Sequence, residues 1–211
     1  MARKARVEFE GAVYHVLDRG DRREPIFKDD ADRCRFLETL AEVCQRTGWR
    51  VHAYVLMSNH YHFLLETPEA NLVAGMRWFQ TTWTMRFNAR HRLSGHLFQG
   101  RYKSVVMDPQ ESRYFAVLSN YIHLNPVRAR MVTLEQRLFD FPWSSYPLYV
   151  RKAGRPPWFE PRGRMGSAPE FRSHGGPGNG HNKQRKSEAA TIGILSASFS
   201  DSRCPLSPVT R

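Results

Sequence analysis

Cysteine and long apolar runs are both scarce in this chain. Its 211 residues include three cysteines, Cys34, Cys44 and Cys204, whose odd number and irregular spacing argue against a disulfide framework or a cysteine metal site. No run of about 18 apolar residues is present, and the basic start of the chain leads into residues 7–10 rather than into an apolar segment. The sequence therefore predicts neither a membrane span nor a signal peptide, and we expect a cytoplasmic protein with no membrane partner.

Acidic residues are outnumbered by basic ones. The chain has 20 Asp and Glu against 32 Lys and Arg, a formal net charge of +12. Such an excess favours a polyanionic partner, and nucleic acid is the commonest polyanion for a soluble protein. Arginine supplies 26 of the basic residues. Its planar guanidinium suits phosphates and base edges, although a GC-rich genome would enrich arginine equally well.

Strand and helix patterns alternate between residues 11 and 125. Short runs of β-branched and aromatic residues mark the strands, whereas apolar residues spaced by three and four mark the helices. The predicted elements are strand 11–17, helix 29–47, a hairpin of strands 49–57 and 58–66, helix 71–89, strand 96–106 and helix 111–125. This β-α-β-β-α-β-α order predicts an α+β fold of the ferredoxin-like or RRM-like kind, an antiparallel sheet with helices packed on one face.

The composition changes after Trp158. Glycine, serine and proline become frequent and the apolar periodicity is lost, so this part of the chain has too little apolar surface to order itself. We therefore predict a folded domain at residues 1–158 and a disordered basic tail at residues 159–211. More than half of the net positive charge follows residue 150.

A His-x-His pair lies in the most strand-like segment, residues 58–66. Alternation along a strand places His60 and His62 on one face and Tyr61 and Phe63 on the other. Two imidazoles about 7 Å apart on one face can bind one divalent metal ion. The alternative is a pair of solvated or hydrogen-bonded histidines with no ligand, and the pair alone does not decide between them.

The last predicted helix carries a tyrosine and an asparagine one turn apart. Tyr121 and Asn125 are spaced i and i+4 and therefore share a helix face. If that face lies near the histidine strand, His60, His62 and Asn125 provide three ligands and leave positions open for phosphate oxygens and water. A tyrosine beside such a metal is a competent nucleophile toward a phosphodiester.

Other readings of this region remain open. Tyr121 could be a packing residue, and Asn125 before a proline is typical of a helix cap. His123, Tyr114 and His15 are competing site residues, the last as a neighbouring ligand on the first strand. None of the three combines i, i+4 spacing with a metal-compatible partner.

Five basic residues are candidate phosphate contacts. Arg19, Arg22 and Arg23 lie in a polar turn after the first strand, and Arg101 and Lys103 share one face of the predicted strand 96–106. A guanidinium or ammonium group at such positions can bind the backbone of a nucleic acid. The alternative for the first three is an ordinary charged hairpin.

Four sequence blocks together resemble the single-tyrosine HUH transposases, most closely their REP-associated branch. The blocks are GAVYHV at 11–16, SNHYHFLL at 58–65, GHLFQGRYK at 95–103 and YIHLNPVRA at 121–129, and the resemblance covers about residues 5–158. It implies that His60 and His62 are metal ligands, that Tyr121 is the nucleophile, and that Asn125 is the third ligand where related proteins use glutamine.

The resemblance also implies a reaction. Members of the family cleave and rejoin single-stranded DNA beside hairpins of repetitive extragenic palindromes, with Mg²⁺ or Mn²⁺ and a 5′-phosphotyrosine intermediate. The chain has no Gly-x-x-x-x-Gly-Lys loop for ATP, in agreement with a transesterification that conserves bond energy. One departure is the tail, because glycine, proline and serine follow residues 157–159 where an aromatic and acidic helix is expected.

Two other functions compete with this one. A non-catalytic module could bind single-stranded nucleic acid through stacking and phosphate contacts alone. A two-metal hydrolase is a third reading, but the acidic residues do not cluster near the histidines in the sequence. The sequence leaves open the DNA hairpin that is recognised and whether the protein is a monomer or a homodimer.

Overall fold

The computed structural model describes residues 6–107, 112–133, 136–151 and 154–162. Within these ranges the strands are β1 (Ala12–Arg19), β2 (Arg50–Leu56), β3 (His60–Thr67) and β4 (Lys103–Met107). The helices are α1 (Asp30–Thr47), α2 (Leu72–His91), α3 (Ser112–His123), α4 (Asn125–Arg128) and α5 (Tyr146–Val150). No helix of the described part is both long and apolar enough to span a membrane.

The strands form one antiparallel sheet in the order β2-β3-β1-β4. Strands β1 and β3 are neighbours in the middle of this sheet and pair along their full length, from Ala12 opposite Thr67 to Arg19 opposite His60. The α+β ferredoxin-like class predicted from the order of elements is confirmed.

One face of the sheet carries the larger core. Alternating residues of the central strands, among them Tyr14, Val16, Tyr61 and Phe63, are fully buried on this face against helices α1 and α2. Helix α1 has a cap at each end, because the Asp29 carboxylate accepts from a backbone N–H of the first turn and Gly48 ends the helix with a φ of 72°.

Helix α3 covers the opposite face. Its residues Phe115 and Ile122 are buried with Val13, Val55 and Leu64, which point away from α1 and α2. The prediction that helices pack on one face therefore holds for α1 and α2, whereas α3 lies on the other side. Apolar residues are present on both faces of β1 and β3, so each face needs a cover.

The fourth strand is shorter than predicted. Strand β4 begins at Lys103, and the residues from 96 to 102 form an irregular segment that includes a bridge between Gly20 and Phe98. The ring of Phe98 also packs against Tyr61 of β3. Gly100 lies inside the predicted strand 96–106 but before β4 in the structure.

A segment after α5 runs along β2. The Val51 N–H donates to the Trp158 carbonyl over 2.9 Å, and the Glu160 N–H donates to the Val51 carbonyl over 2.9 Å. Phe159 is buried, and Arg162 forms an ion pair with Glu66 at 2.8 Å. These contacts lie beyond the predicted domain boundary at residue 158. The rest of the predicted tail, 163–211, lies outside the described residues, so its disorder stays a prediction.

Candidate active site

The two histidines of β3 point to the face that α3 covers. Tyr61 lies between the two histidines and Phe63 follows them, and both are buried on the α1 and α2 side, as alternation predicts. The rings of His60 and His62 are 5.3 Å apart between centroids and nearly perpendicular, with an interplanar angle of 78°. Pairing with β1 places Arg19 opposite His60, so a cation stands beside the pair.

Both imidazoles are held in the neutral form. Burial lowers the pKa of His60 to about 4, with a smaller effect from the positive charge of Arg19. Burial, with smaller contributions from the neighbouring His15, His60 and Arg19, lowers the pKa of His62 to about 3. Near neutral pH each ring therefore has one unprotonated nitrogen, as a metal ligand requires.

Asn59 fixes which nitrogen of His60 carries the proton. The Asn59 Nδ2 donates to the Arg23 carbonyl over 2.8 Å, so the Asn59 Oδ1 is the atom that faces His60. This Oδ1 is 2.7 Å from Nδ1 of His60 and can only accept, which requires an Nδ1–H on the ring. The Nε2 of His60 therefore keeps its lone pair. A hydrogen bond of this kind on the far side of the ring is the usual support of a metal-binding histidine.

Tyr121 lies beside the histidine pair. Its ring centroid is 6.0 Å from that of His62 and 6.2 Å from that of His15, edge-on in both cases. The side chain is 37% exposed, so a ligand from solution can reach it. The guanidinium carbon of Arg128 lies 4.7 Å from the ring centroid and brings a positive charge to the same place. His60 and His62 of β3 and Tyr121 of α3 therefore lie together in the structure.

Asn125 is not brought to the histidines by any described contact. Its Nδ2 donates to the Tyr121 carbonyl at 2.9 Å and to the Ile122 carbonyl at 3.3 Å, and so caps the end of α3. The residue is the first of α4, after Leu124, and its Oδ1 takes no part in these two bonds. Its role as the third metal ligand stays a prediction.

Of the three competing residues His123, Tyr114 and His15, only His15 contacts the histidine pair in the described structure. His123 is buried on another side of α3, its Nε2 is 2.7 Å from the Ser145 hydroxyl, and burial lowers its pKa to about 3. It is a structural residue. Tyr114 is 46% exposed on α3 and makes no ring contact with a histidine in the described part of the chain. His15 is the one that reaches the site, with its Nε2 3.0 Å from Nδ1 of His62.

The donor set fits a divalent cation that completes its shell with exogenous ligands. Within residues 6–107, 112–133, 136–151 and 154–162, no group of three His, Cys, Asp or Glu side chains is arranged to hold a metal ion. The two neutral imidazoles of His60 and His62 are nevertheless present, and the amide of Asn125 follows Tyr121 by four residues in the sequence. Nitrogen ligands of this type bind first-row divalent metals, and phosphate oxygens and water would supply the rest.

Two of the predicted phosphate contacts share the histidine face. Leu17 is opposite both His62 and Lys103, and residues directly opposite one another in an antiparallel sheet point to the same side. Lys103 is exposed there, and Arg19 is half-buried on the same face beside His60. The remaining three lie elsewhere: Arg22 and Arg23 are exposed in a 3₁₀ turn, and exposed Arg101 precedes β4 instead of sharing its face.

Sequence reasoning gave too little weight to three residues of this site. His15 is only one of three competing residues in the sequence, Asn59 is not distinguished from the rest of the predicted strand 58–66, and Arg128 is not singled out. A signal existed for each. His15 and Leu17 are two residues apart and share one face of a strand. Asn59 directly precedes the histidine pair, and Arg128 follows Tyr121 by seven residues, which is two helical turns.

Comparison with known proteins agrees with the fold. Residues 8–125 match the sequence profile of the family described as transposase IS200 like. A solved REP-associated tyrosine transposase bound to a REP hairpin superposes with a TM-score of 0.59 at 18% identity, over 82% of this chain and 96% of that one. A candidate transposase from Deinococcus radiodurans gives a TM-score of 0.40 at 19% identity, over 57% of this chain and 95% of that one. No curated protein matches the sequence.

Proposed function

The chain belongs to the IS200-like transposase family, and on that premise we propose that it cleaves and rejoins single-stranded DNA with Tyr121 as the nucleophile. The observation that carries the proposal is the position of the Tyr121 ring, 6.0 Å from His62 and partly open to solvent. A phenol beside two neutral imidazoles is a suitable arrangement for attack on a phosphodiester that a cation holds in place.

The proposed chemistry is two transesterifications. In the first, the Tyr121 hydroxyl oxygen forms a bond to phosphorus as the bond from phosphorus to the 3′ oxygen breaks. The phenol loses its proton, and the departing 3′ oxygen gains one and leaves as a hydroxyl. The product is a 5′-phosphotyrosine, and attack by a 3′-hydroxyl of another strand end reverses the step and joins the DNA. No external energy source is needed because each step exchanges one phosphodiester for another.

A divalent cation, Mg²⁺ or Mn²⁺, is part of this proposal. His60, His62 and Asn125 would hold it. When bound, the cation polarises a phosphoryl oxygen and stabilises the charge that develops during the attack. The chain supplies the rest: Asn59 keeps the Nε2 lone pair of His60 available, and Arg128 is placed to neutralise a phosphate attached to Tyr121.

The proposed substrate is DNA with a hairpin beside a single strand. A relative of the same fold was solved with a REP hairpin bound. The net charge of +12 and the cations Arg19 and Lys103 on the histidine face favour a nucleic-acid backbone. Base pairing within the hairpin and an unpaired flank would present the scissile phosphate without a second strand to displace.

The assay that tests the proposal uses the full chain and a 5′- or 3′-labelled single-stranded hairpin DNA with Mg²⁺ or Mn²⁺. We expect a protein–DNA adduct that survives denaturation and carries only the DNA on the 5′-phosphate side of the break. Binding without an adduct under both metals would favour the non-catalytic binding module. Cleavage products with no adduct would favour a hydrolase.

The salt dependence of DNA binding provides a separate prediction for Lys103. Replacement of Lys103 by Gln should lower the slope of log K against log salt by about 0.7, the value for one phosphate contact to a single strand. Lys28 is the matched control, because it is also an exposed lysine but lies over Phe87 on the α1 and α2 side. Fluorescence anisotropy from low to moderate salt measures the slope. An unchanged slope in Lys103→Gln, or an equal change in Lys28→Gln, would contradict this contact.

A further inference from the structure

The rings of His15 and His62 share a hydrogen bond at the centre of the site. The His15 Nε2 and the His62 Nδ1 are 3.0 Å apart, and the rings are almost parallel, with an interplanar angle of 15° and centroids 5.2 Å apart. Strand pairing fixes this contact, because His15 is opposite Leu64 and Leu17 is opposite His62 in the same two strands. A nitrogen pair at this distance requires one donor and one acceptor.

The pair has two possible proton arrangements. The 3.0 Å contact joins one N–H to one lone pair, so two neutral rings with one proton each can satisfy it in two ways. Either the Nε2–H of His15 donates and His62 keeps its own proton on Nε2, or the Nδ1–H of His62 donates and His15 keeps its proton on its own Nδ1. Only the second arrangement leaves a lone pair on Nε2 of His62.

We propose that His15 is a positioning residue that accepts the Nδ1 proton of His62 and thereby presents the Nε2 of His62 to the cation. The inference rests on the proposed function, since it assigns the outer support of one of the two metal ligands. The same support is visible at His60, where the Oδ1 of Asn59 accepts the Nδ1 proton. An acceptor on the far nitrogen both orients the ring and raises its basicity toward a metal.

The two supports differ in one respect. The Oδ1 of Asn59 can only accept, so the tautomer of His60 is set whether or not a cation is present. His15 can accept or donate at Nε2, so the tautomer of His62 is free to change. Cation binding selects one arrangement of the His15–His62 pair, and the pair is therefore a two-state element that responds to the ligand.

Direct ligation by His15 is the competing arrangement. The Nε2 of His15 is engaged with the Nδ1 of His62 at 3.0 Å, so it is not open to a cation while that hydrogen bond is present. A cation bound through the Nε2 of His62 would use the ring nitrogen that does not face His15. Among the described side chains no three histidines or acids form a metal-binding group, which favours the outer role.

The first test reads the tautomers directly. The full chain is labelled with ¹⁵N-histidine and its imidazole resonances are recorded without metal and with Zn²⁺, a diamagnetic probe. With Zn²⁺ we expect a protonated Nδ1 and a metal-shifted Nε2 at His62, and a protonated Nδ1 with an unmetallated Nε2 at His15. A metal-shifted nitrogen on His15, or a protonated Nε2 on His62 in the Zn²⁺ form, would overturn the proposal.

The second test measures Mn²⁺ affinity by electron paramagnetic resonance in the absence of DNA. His15→Phe removes the acceptor and should weaken Mn²⁺ binding by about 10- to 100-fold. His15→Gln retains an acceptor at the same reach and should recover most of that loss. Equal Mn²⁺ affinity of His15→Phe and the wild type would overturn only the role proposed for His15. Absence of any cation binding by the wild type would overturn both this inference and the proposed metal dependence, whereas metal binding without an adduct on DNA would overturn only the strand-transfer chemistry.

Discussion

Replacement of Tyr121 by Phe is expected to abolish the covalent protein–DNA adduct and strand cleavage. The variant lacks the only oxygen of that side chain, and loss of a catalytic nucleophile lowers rates on the order of 10⁴-fold or more. The phenyl ring keeps the edge contacts with His15 and His62 and the contact with Arg128, so the fold and DNA binding should be preserved. A denaturing gel with labelled hairpin DNA and Mn²⁺ measures the adduct.

Tyr114 provides the matched control on the same helix. It lies one heptad before Tyr121, is also an exposed tyrosine, and makes no ring contact with a histidine among the described residues. Tyr114→Phe should form the adduct at the wild-type rate. Adduct formation by Tyr121→Phe, or an equal loss in both variants, would remove Tyr121 from the role of nucleophile.

Replacement of either histidine of the pair is expected to separate catalysis from binding. His60→Ala and His62→Ala each remove an imidazole whose lone pair the cation would use, and cleavage should fall to background. The affinity for Mn²⁺ should fall by more than the roughly 10- to 100-fold that loss of an outer partner causes. Salt-sensitive DNA binding should persist, because Arg19 and Lys103 rather than the histidines provide the phosphate contacts.

An exposed histidine outside the site tests whether the effect is specific. His96 is exposed in the irregular segment before β4, and His96→Ala should retain cleavage and Mn²⁺ affinity. Circular dichroism checks that the substituted chains fold. An equal loss of DNA binding and cleavage in His60→Ala and His62→Ala would contradict the division between metal ligands and phosphate contacts.

The fold was largely predictable because its main signals are local. The alternation around His62 marks β3, and the spacing of Phe36, Leu37 and Leu40 marks α1 without knowledge of the rest of the chain. The side of the sheet on which α3 lies was not predictable in this way. Phe115 and Ile122 show that the helix is amphipathic, but which face of β1 and β3 still needs a cover depends on where α1 and α2 pack.

The residue types that form the site were predictable from the sequence. His60, His62 and Tyr121 were chosen for their chemistry and spacing, and the structure brings all three together. The hydrogen bonds were not predictable, because the contact of His15 with His62 depends on the register of two strands. For Asn125 the local environment dominates, since its amide caps two carbonyls of the preceding helix α3.

The segment that runs along β2 pairs with the outer edge of the sheet, although it lies outside the residues that match the family. The family match ends at residue 125, yet the outer backbone groups of Val51 are paired only by Trp158 and Glu160 in the described structure. Without these residues the Val51 end of β2 would present unpaired backbone groups that can pair with a strand of another molecule, whereas residues 143–145 pair with the Tyr54–Leu56 end. Trp158 and Glu160 therefore protect one end of this edge strand, and the short strand β4, which starts with Lys103, is left as the exposed border of the sheet.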